Sequence, residues 1–457
     1  MKPSSYNFVF KENGDIYIYN AFVNSFAKIN SEIAAFINSP IDGDKAVQVS
    51  KEAILPLIRG GFVVEDGKDE LAELKVRNRL GRFGRTSFGI TVAPTLACNF
   101  KCTYCFEQPS SEKMSQKTAD TVYDFVLKNL KDKTSFGVCW YGGEPLLALD
   151  IIEYLSRRFI TLCKTLNIPY DADIISNGFL MNKEMANLLA NELKVKFWQV
   201  TLDGPPATHN KRRPTLIGKA SFETVLNNLA SCYEYFDRVS VRINVDNTNY
   251  KDVPKLLDIL DKAGLKNKVN VYFGKVQVLG SACKSIGSIC FTEEEFSKIE
   301  SHLYKIALQK GFVLNNRPLL VTGYCGADRS NSFLIDPKGN LGKCWNSVGV
   351  EKEKVGSVYD NALNDNYVSW LSYDPFQDPE CVDCKILPIC MGGCPYDTII
   401  VSKKVCKTIR YNLIESLKLR IGGLQLACQA KERKNGRKKG VGYQKKNRRC
   451  DKGTEVH

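Results

Sequence analysis

The chain has 457 residues, of which 44% are hydrophobic and 10% aromatic, and these values predict that most of it folds, in two or three domains. Segment 431–457 holds eleven basic and three acidic residues and so supplies more than half of the formal charge of +14. The sequence has no run of 18 apolar residues and no apolar export signal near its start. We therefore expect a cytoplasmic protein without a membrane-spanning helix.

Seventeen cysteines and three histidines are the most informative feature of the composition. Without an export signal, metal ligation is a better interpretation of these cysteines than a set of disulfides. Thiolates with so few histidines favour iron–sulfur clusters or all-cysteine zinc sites over histidine-rich zinc or haem sites.

Residues 1–75 predict a small winged-helix-like module. Two alternating runs, two helical stretches and a short strand are expected at Tyr6–Phe10, Asp15–Tyr19, Ile29–Ile37, Ala53–Ile58 and Gly61–Val64. Asn13-Gly14 is typical of a hairpin turn between the first two strands. The charged residues 71–85 are expected to link this module to the next domain.

Residues 86–280 alternate between short apolar runs and amphipathic stretches. The runs predict strands at Gly89–Ala93, Gly137–Tyr141, Asp173–Ser176, Phe197–Leu202, Val239–Val245 and Val269–Phe273. Helices are expected between them, at Thr118–Leu130, Ile151–Leu166, Lys183–Leu193 and Phe222–Cys232. Six strand–helix units predict an α/β fold with a parallel sheet or partial barrel, whose functional residues gather at the carboxyl ends of the strands.

Residues 281–430 form a second cysteine-dense region, in which a helix at Glu293–Gln309 precedes closely spaced thiols and many turns. This pattern is typical of a domain organised by metal rather than by a large core. The basic, low-complexity tail at 431–457 is expected to be disordered.

The first cysteine group is Cys98, Cys102 and Cys105, with C-x3-C-x2-C spacing directly after the first predicted strand. Three thiolates on one loop can bind three irons of a [4Fe-4S] cluster and leave the fourth iron open to a ligand. The alternative is a zinc site completed by a distant cysteine.

Further motifs follow the next strands in order. Tyr141-Gly142-Gly143-Glu144-Pro145 follows the second strand, Ser176-Asn177-Gly178 the third and Thr201-Leu202-Asp203-Gly204-Pro205 the fourth. His209 and Arg213 come shortly after, and Arg242 lies on the fifth strand. The glycines allow a close approach of the backbone to a ligand.

Together these motifs resemble those of the radical S-adenosylmethionine (SAM) superfamily, whose members have a partial (β/α)6 TIM-like barrel. The resemblance implies that Cys98, Cys102 and Cys105 bind the [4Fe-4S] cluster and that the backbone of Tyr104 contacts the adenine. It also implies reductive cleavage of SAM to a 5′-deoxyadenosyl radical, with electrons from an external donor of the flavodoxin or ferredoxin type. Further SAM contacts are implied for Gly142, Gly143, Glu144, Ser176, Asn177, Thr201 and Asp203, and for Arg213 or Arg242, whose guanidinium suits the SAM carboxylate.

The second cysteine group has C-x2-C-x5-C-x3-C spacing followed by one more thiol, and two thiols precede it. Its members are Cys325, Cys344, Cys381, Cys384, Cys390, Cys394 and Cys406. This pattern resembles a SPASM domain, which carries two auxiliary [4Fe-4S] clusters; a zinc ribbon is the alternative.

The resemblance assigns Cys381, Cys384, Cys390 and Cys406 to one auxiliary cluster and Cys325, Cys344 and Cys394 to the other. Some relatives supply a fourth thiol to the latter about six residues after its first, near Asn331 here, but none of residues 328–332 is a cysteine. Either this cluster has an open iron, or Cys283 or Cys290 closes it.

SPASM enzymes act on peptides or proteins, and the module at 1–75 resembles the peptide recognition element of ribosomal-peptide (RiPP) maturases, unless it only buttresses the barrel. We therefore expect a precursor peptide as substrate and a thioether or other crosslink as product. A formylglycine-forming sulfatase maturase is the alternative enzyme, although Trp345 stands where those relatives have Asp. A nucleic-acid-binding protein with structural clusters is the alternative of another class, but the tail has one aromatic residue, Tyr443, and specific base recognition is not expected.

Overall fold

A computed structural model of the protein describes residues 1–39, 50–108, 110–279, 284–313, 320–321, 323, 325–360 and 362–437. Across these ranges the strands form a two-stranded, a three-stranded and a nine-stranded sheet. No helix within the same ranges combines the length and apolar character that crossing a membrane requires.

The N-terminal elements are β1 Lys2–Pro3, β2 Asn7–Glu12, β3 Asp15–Asn20, β4 Ser25–Ile29, α1 Ser31–Asn38, α2 Lys51–Arg59, β5 Val63–Val64 and α3 Glu70–Phe83. Strands β2, β3 and β4 form an antiparallel sheet in that order, and β1 pairs with β5. Asn13 and Gly14 join β2 to β3 with φ angles of 50° and 82°, as a two-residue hairpin turn requires. The sequence did not reveal β4. Ile29 was predicted to begin a helix, but it ends β4, and Asn30 then caps α1.

Helix α3 replaces the linker that was predicted at 71–85. Its buried residues are Glu70, Leu74, Asn78 and Arg82, spaced four apart on one face. Glu70 accepts hydrogen bonds from the Ser4 hydroxyl at 2.5 Å and the Ser5 amide at 2.8 Å. Because three of the four buried side chains are polar, hydrophobic periodicity does not detect this helix.

The central strands are β6 Ser87–Val92, β7 Ser135–Trp140, β8 Tyr170–Ile175, β9 Val195–Thr201, β10 Arg238–Val245 and β11 Asn270–Lys275. All six pair in parallel with their neighbours in chain order, which confirms the α/β fold class and its parallel sheet. The helices between them are α4 Gln116–Asn129, α5 Leu149–Leu166, α6 Lys183–Asn187, α7 Pro206–Arg212, α8 Phe222–Cys232 and α9 Val253–Lys262. The helix predicted at Lys183–Leu193 is α-helical only to Asn187 and continues as a π-helical turn over Leu188–Glu192.

The C-terminal elements are α10 Glu293–Gln309, β12 Ser332–Ile335, β13 Asn340–Gly342, β14 Gly356–Ser357, α11 Asp365–Ser372, α12 Pro379–Val382, α13 Leu387–Cys390, α14 Pro395–Ile399 and α15 Ile409–Arg437. Strand β12 pairs in parallel with β6, so the barrel sheet continues into this region. Helix α15 includes residues 431–437 of the tail that was expected to be disordered. Residues 438–457 lie outside the described ranges.

The N-terminal sheet lies between two apolar groups. Its one face packs Ile18 and Ile29 against residues of α1 and α2. Its other face shares a core with the cysteine-bearing C-terminal region, and this core includes Tyr6, Phe10, Tyr19, Leu387, Ile389, Leu413 and Leu417. The first module and the last region of the chain are therefore packed together.

Candidate functional site

Cys98, Cys102 and Cys105, called the front thiols below, lie on the loop after β6. Cys98 and Cys102 are half-buried, whereas Cys105 is exposed. The Phe100 amide donates a hydrogen bond to Cys98 Sγ at 3.4 Å. Burial raises the pKa of Cys98 to about 12, so this thiol becomes a thiolate near neutral pH only where bound positive charge compensates it.

A cavity of about 300 Å³ opens beside the front thiols at the carboxyl ends of β6 to β11, and we call it the front cavity. It collects eleven of the thirteen residues that the sequence assigned to the SAM cluster and SAM. These are Cys98, Cys102, Tyr104, Cys105, Gly142, Gly143, Ser176, Asn177, Thr201, Arg213 and Arg242. The two others, Glu144 and Asp203, are fully buried behind its wall.

The glycine pair Gly142-Gly143 packs directly against the loop of the front thiols. Gly142 has a φ of +108°, and a Cβ there would lie 2.4 Å from the Thr95 carbonyl oxygen. A Cβ on Gly143 would lie 2.4 Å from the Ala97 carbonyl oxygen. Both positions require glycine because the two loops approach too closely for a side chain.

Glu144 organises the neighbouring loop. Its carboxylate accepts hydrogen bonds from the Ser176 hydroxyl at 2.8 Å and the Asn177 amide at 2.7 Å. Burial raises its pKa to about 7, although these donors favour the ionised form. Glu144 thus fixes two residues that line the cavity, and its own contact with the SAM amino group stays a prediction.

The hydroxyl of Tyr104 links the front loop to three other elements. It donates to the buried Asp203 carboxylate and accepts from Arg213 Nη1 at 2.7 Å and Asn244 Nδ2 at 3.0 Å. Asp203 Oδ1 also accepts from the Asn244 amide at 2.9 Å. Arg213 is therefore fixed beside the front thiols by a side chain of their own loop.

Arg212 and His209 are structural neighbours of this network. Arg212 forms a buried ion pair with Asp246 at 2.7 Å. His209 Nδ1 accepts from the Asp203 amide at 3.2 Å, and burial with the charges of Arg213 and Arg212 holds its pKa well below the usual range. Both residues support the loop that carries Asp203, and neither lines the front cavity.

Trp345 is the main cavity residue whose place the sequence did not predict. It directly follows Cys344, and its side chain stacks on Tyr141 with ring centroids 5.0 Å apart. Its indole nitrogen donates to Thr91 Oγ1 on β6 at 2.9 Å. Other cavity residues that were missed are Phe106, Tyr141, Ile175, Gln199, Asn244, Lys275, Val276, Gln277, Leu279 and Asn346.

Some of these residues could have been found from the sequence. Asn244 lies two residues after Arg242 on β10, so both side chains point to the same face of the sheet. Tyr141 directly precedes the glycine pair. The sequence marked Trp345 only as standing where sulfatase maturases have Asp, and it did not place the residue in the cavity. The pairing of β12 with β6 brings this segment to the barrel.

The C-terminal thiols form two sets. Cys381, Cys384, Cys390 and Cys406, called the four-thiol set, surround one small cavity of about 20 Å³. Cys325, Cys344 and Cys394, called the three-thiol set, are close enough that Cys325 and Cys394 add to the effect of burial in raising the pKa of Cys344. These are the groupings that the SPASM resemblance implies.

The structure describes two of the three positions considered for a fourth ligand of the three-thiol set. Asn331 donates to the Gly84 carbonyl oxygen at 3.2 Å and so fastens its loop to the chain before β6. Cys290 Sγ donates to the Ile286 carbonyl oxygen at 3.3 Å and packs beside Val276. Cys283 lies outside the described residues.

A single metal ion and a cluster place different demands on their ligands. In the part of the chain that the structure describes, no three His, Cys, Asp or Glu side chains converge closely enough to hold one metal ion. A cubane cluster binds each thiolate through a different iron, so its ligands need not converge on one point. Of the remaining cysteines, Cys163 and Cys232 are buried in the barrel core and Cys139 is half-buried.

Comparison with known proteins agrees with this geometry. Residues 92–260 match the Radical SAM superfamily. An Fe-coproporphyrin III synthase of Methanosarcina barkeri is 27% identical over 171 residues, which are 37% of this chain and 39% of that relative. A cysteine-type anaerobic sulfatase-maturating enzyme of Clostridium perfringens is 23% identical over 331 residues, which are 65% of this chain and 85% of the relative.

A solved structure extends the similarity of the fold. Streptococcus suis SuiB bound to precursor peptide SuiA matches with a TM-score of 0.52 and 16% identity, over 88% of this chain and 97% of that chain. Because residues 86–457 are about 81% of the chain, a match of this extent includes part of the N-terminal module. At this identity the match establishes shared fold alone.

Proposed function

We propose that this chain, whose residues 92–260 match the Radical SAM superfamily, modifies a ribosomally made precursor peptide and forms a thioether or another crosslink. The observation that carries the proposal is the front cavity itself, where the front thiols and the residue next to Cys344 of the three-thiol set meet. The proposed site of radical initiation and a segment of the second cysteine region thus line the same front cavity.

The residues of the chain have distinct parts in this reaction. When bound, the [4Fe-4S] cluster would supply the electron that cleaves SAM, and its ligands would be Cys98, Cys102 and Cys105. The glycine pair at 142–143 and residues Ser176 and Asn177 would hold SAM in the front cavity. With SAM and peptide bound, enclosure by the barrel would exclude water and keep the reacting atoms close, which is how an enzyme controls a reactive intermediate.

The C-terminal thiols would hold the two auxiliary clusters, with the four-thiol set on one cluster and the three-thiol set on the other. Such clusters can accept the electron that an oxidative crosslink releases. An external donor of the flavodoxin or ferredoxin type would supply the first electron.

The N-terminal module would bind the leader part of the peptide. One face of its three-stranded sheet packs on α1 and α2, and the other on the C-terminal region. Within the described ranges, neither β2 nor β4 pairs with a further strand on its outer side. An extended peptide would therefore add at an edge of this sheet, through backbone hydrogen bonds. The match to SuiB, whose structure contains a precursor peptide, supports this proposal.

A sulfatase-maturase-like reaction is the second candidate function. The relative from Clostridium perfringens, similar over 85% of its own length, supports it. Against it stands Trp345, since an indole cannot accept a proton where the resemblance calls for a carboxylate.

Anaerobic reconstitution with iron and sulfide tests the enzymatic part of the proposal. We expect the reduced protein to convert SAM to 5′-deoxyadenosine and methionine. Absence of 5′-deoxyadenosine would contradict the proposal and favour a binding protein with structural clusters.

Co-expression with a short cysteine-containing peptide encoded beside the gene tests the product. Mass spectrometry should show a loss of two hydrogens for each crosslink. A peptide of unchanged mass would contradict crosslinking, and a cysteine converted to formylglycine would establish the second candidate.

A further inference from the structure

The front cavity is lined by three cationic side chains and, among the described residues, by no carboxylate. The cations are Arg213, Arg242 and Lys275. Lys275 is neutralised by an ion pair with Glu293 at 2.5 Å. Arg213 and Arg242 have no carboxylate within 4.0 Å in the described part of the chain, so two guanidinium groups are available for anionic ligands.

Arg213 lies on the side of the front thiols. Its Nη1 donates to the Tyr104 hydroxyl, which belongs to the same loop as the three cysteines. Its guanidinium also lies 5.6 Å from the ring centroid of Phe100, again on that loop. An amino acid group that reaches the open iron beside these thiols therefore has Arg213 as its nearest cation.

Arg242 is directed to the opposite side, over β11. Its Nε donates to Asn244 Oδ1 at 2.7 Å and its Nη1 reaches the Tyr272 hydroxyl at 3.5 Å. Gly274 on β11 makes this orientation possible, because a Cβ there would lie 2.6 Å from Arg242 Nη2. Nη2 itself makes no hydrogen bond to any described residue, and it can donate to a ligand.

A second cavity of about 340 Å³ begins at Arg242, and we call it the rear cavity. It lies between β11, α10 and the segment of Cys394 to Thr408, and Arg242, Lys275 and Gln277 line both cavities. Its own cations, Arg242, Lys275 and Lys407, are balanced by Glu293, Glu300 and Asp397. A free carboxylate is therefore attracted to the front side of Arg242, where no acid opposes it.

We propose that Arg242 binds a carboxylate of the peptide substrate, from an acidic side chain or a C-terminus, while Arg213 binds the carboxylate of SAM. The proposal rests on the proposed function and defines its substrate class. It assigns separate ligands to the two arginines, which share one cavity but are oriented to opposite sides of it. A guanidinium fork and a carboxylate form two parallel hydrogen bonds, so the neutral amide analogue binds more weakly.

The first experiment measures SAM affinity of the reconstituted enzyme by isothermal titration. For Arg213→Gln we expect the dissociation constant of SAM to rise roughly tenfold or more, and for Arg242→Gln less than about threefold. Arg238→Gln, at the exposed start of the same strand, is the matched control and should match the wild type. A rise for Arg242→Gln equal to that of Arg213→Gln would overturn the proposal.

The second experiment titrates the SAM-bound enzyme with acetylated, amidated pentapeptides that contain one Cys and either Glu or Gln, and with the Gln peptide as a free C-terminal acid. We expect at least one acidic probe to bind roughly fivefold or more tighter than the neutral probe. The preferred probe distinguishes a side-chain carboxylate from a C-terminal one. Equal binding of all three probes by the wild type would overturn the proposal.

Two variants connect this preference to Arg242. Arg242→Gln should abolish the preference, and Gly274→Ala should weaken it without removing the charge, because the new methyl group displaces the guanidinium. A preference that survives Arg242→Gln would overturn the proposal. Failure of the wild type to form 5′-deoxyadenosine would instead contradict the proposed function. The binding measurements do not depend on turnover, so the two failures can be distinguished.

Discussion

The front thiols and the four-thiol set differ in the space beside them. Three thiols beside the front cavity line about 300 Å³ together with polar and cationic side chains. The four-thiol set surrounds about 20 Å³, and its residue Cys381 belongs to an apolar core with Leu387 and Ile389. One site leaves space for further ligands, and the other is enclosed by its own segment.

Cysteine thiols therefore have different roles at the two sites: reactivity at the front cavity and packing at the four-thiol set. Loss of a front thiol should remove reactivity without affecting the core that the N-terminal module shares with the C-terminal region, because Cys98 and Cys102 pack against the barrel core instead. Loss of Cys381, Cys384 or Cys390 removes part of the packing of a core that also includes Phe10 and Tyr19 of the N-terminal sheet. Under the proposed assignment, metal binding by the four-thiol set would therefore be coupled to folding and to the docking of the first module.

Replacement of Cys102 by alanine should give the largest effect on activity. We expect 5′-deoxyadenosine formation to fall below detection and iron content to fall by about four per chain, because three thiols are the minimum for this cluster. The melting temperature should change little. Cys139→Ala, on β7 outside the predicted ligands, is the matched control, and retained SAM cleavage in Cys102→Ala would contradict the assignment.

Replacement of Cys390 by serine should give the largest effect on stability. Because cluster binding contributes directly to folding, we expect a loss of about 4 kcal/mol or more, seen in anaerobic thermal unfolding. Limited proteolysis should also release the N-terminal module earlier, since the sheet loses part of its packing partner. If Cys390→Ser unfolds like Cys102→Ala, the proposed distinction between the two sites is wrong.

Arg82 tests how α3 docks on the C-terminal region without a change to any thiol. Its Nε donates to the Asp328 carbonyl oxygen at 3.0 Å and its Nη1 to the Tyr373 carbonyl oxygen at 2.6 Å, and it is buried on α3. We expect Arg82→Met to cost about 3 kcal/mol, because these buried oxygens and the Asp328 carboxylate lose a charged neighbour.

Urea unfolding of Arg82→Met measures this cost. Arg79→Met, at an exposed position of the same helix, is the matched control. A change below about 1 kcal/mol would show that α3 is not essential for docking.

The sequence predicted the parts of the site that depend on local spacing. Cys98, Cys102 and Cys105 lie within one loop, and the glycine pair follows a strand, so no tertiary information was needed. The helix α3 escaped prediction because its buried face carries Glu70 and Arg82, whose partners are distant in the chain. The position of Trp345 depends on the four-residue strand β12, too short for a clear periodic signal.

Trp345 connects the two cysteine regions, and it should give the smallest effect. It is 41% exposed, follows Cys344 and keeps its indole over Tyr141 through the hydrogen bond to Thr91. Trp345→Phe retains an aromatic ring but loses this hydrogen bond, which is worth about 1 kcal/mol. We expect the KM for the peptide to rise roughly fivefold, in proportion to that energy. Thr91→Val removes the same bond from the other side, so the double variant should be no worse than either single one; additive effects would show that the ring is positioned by other contacts.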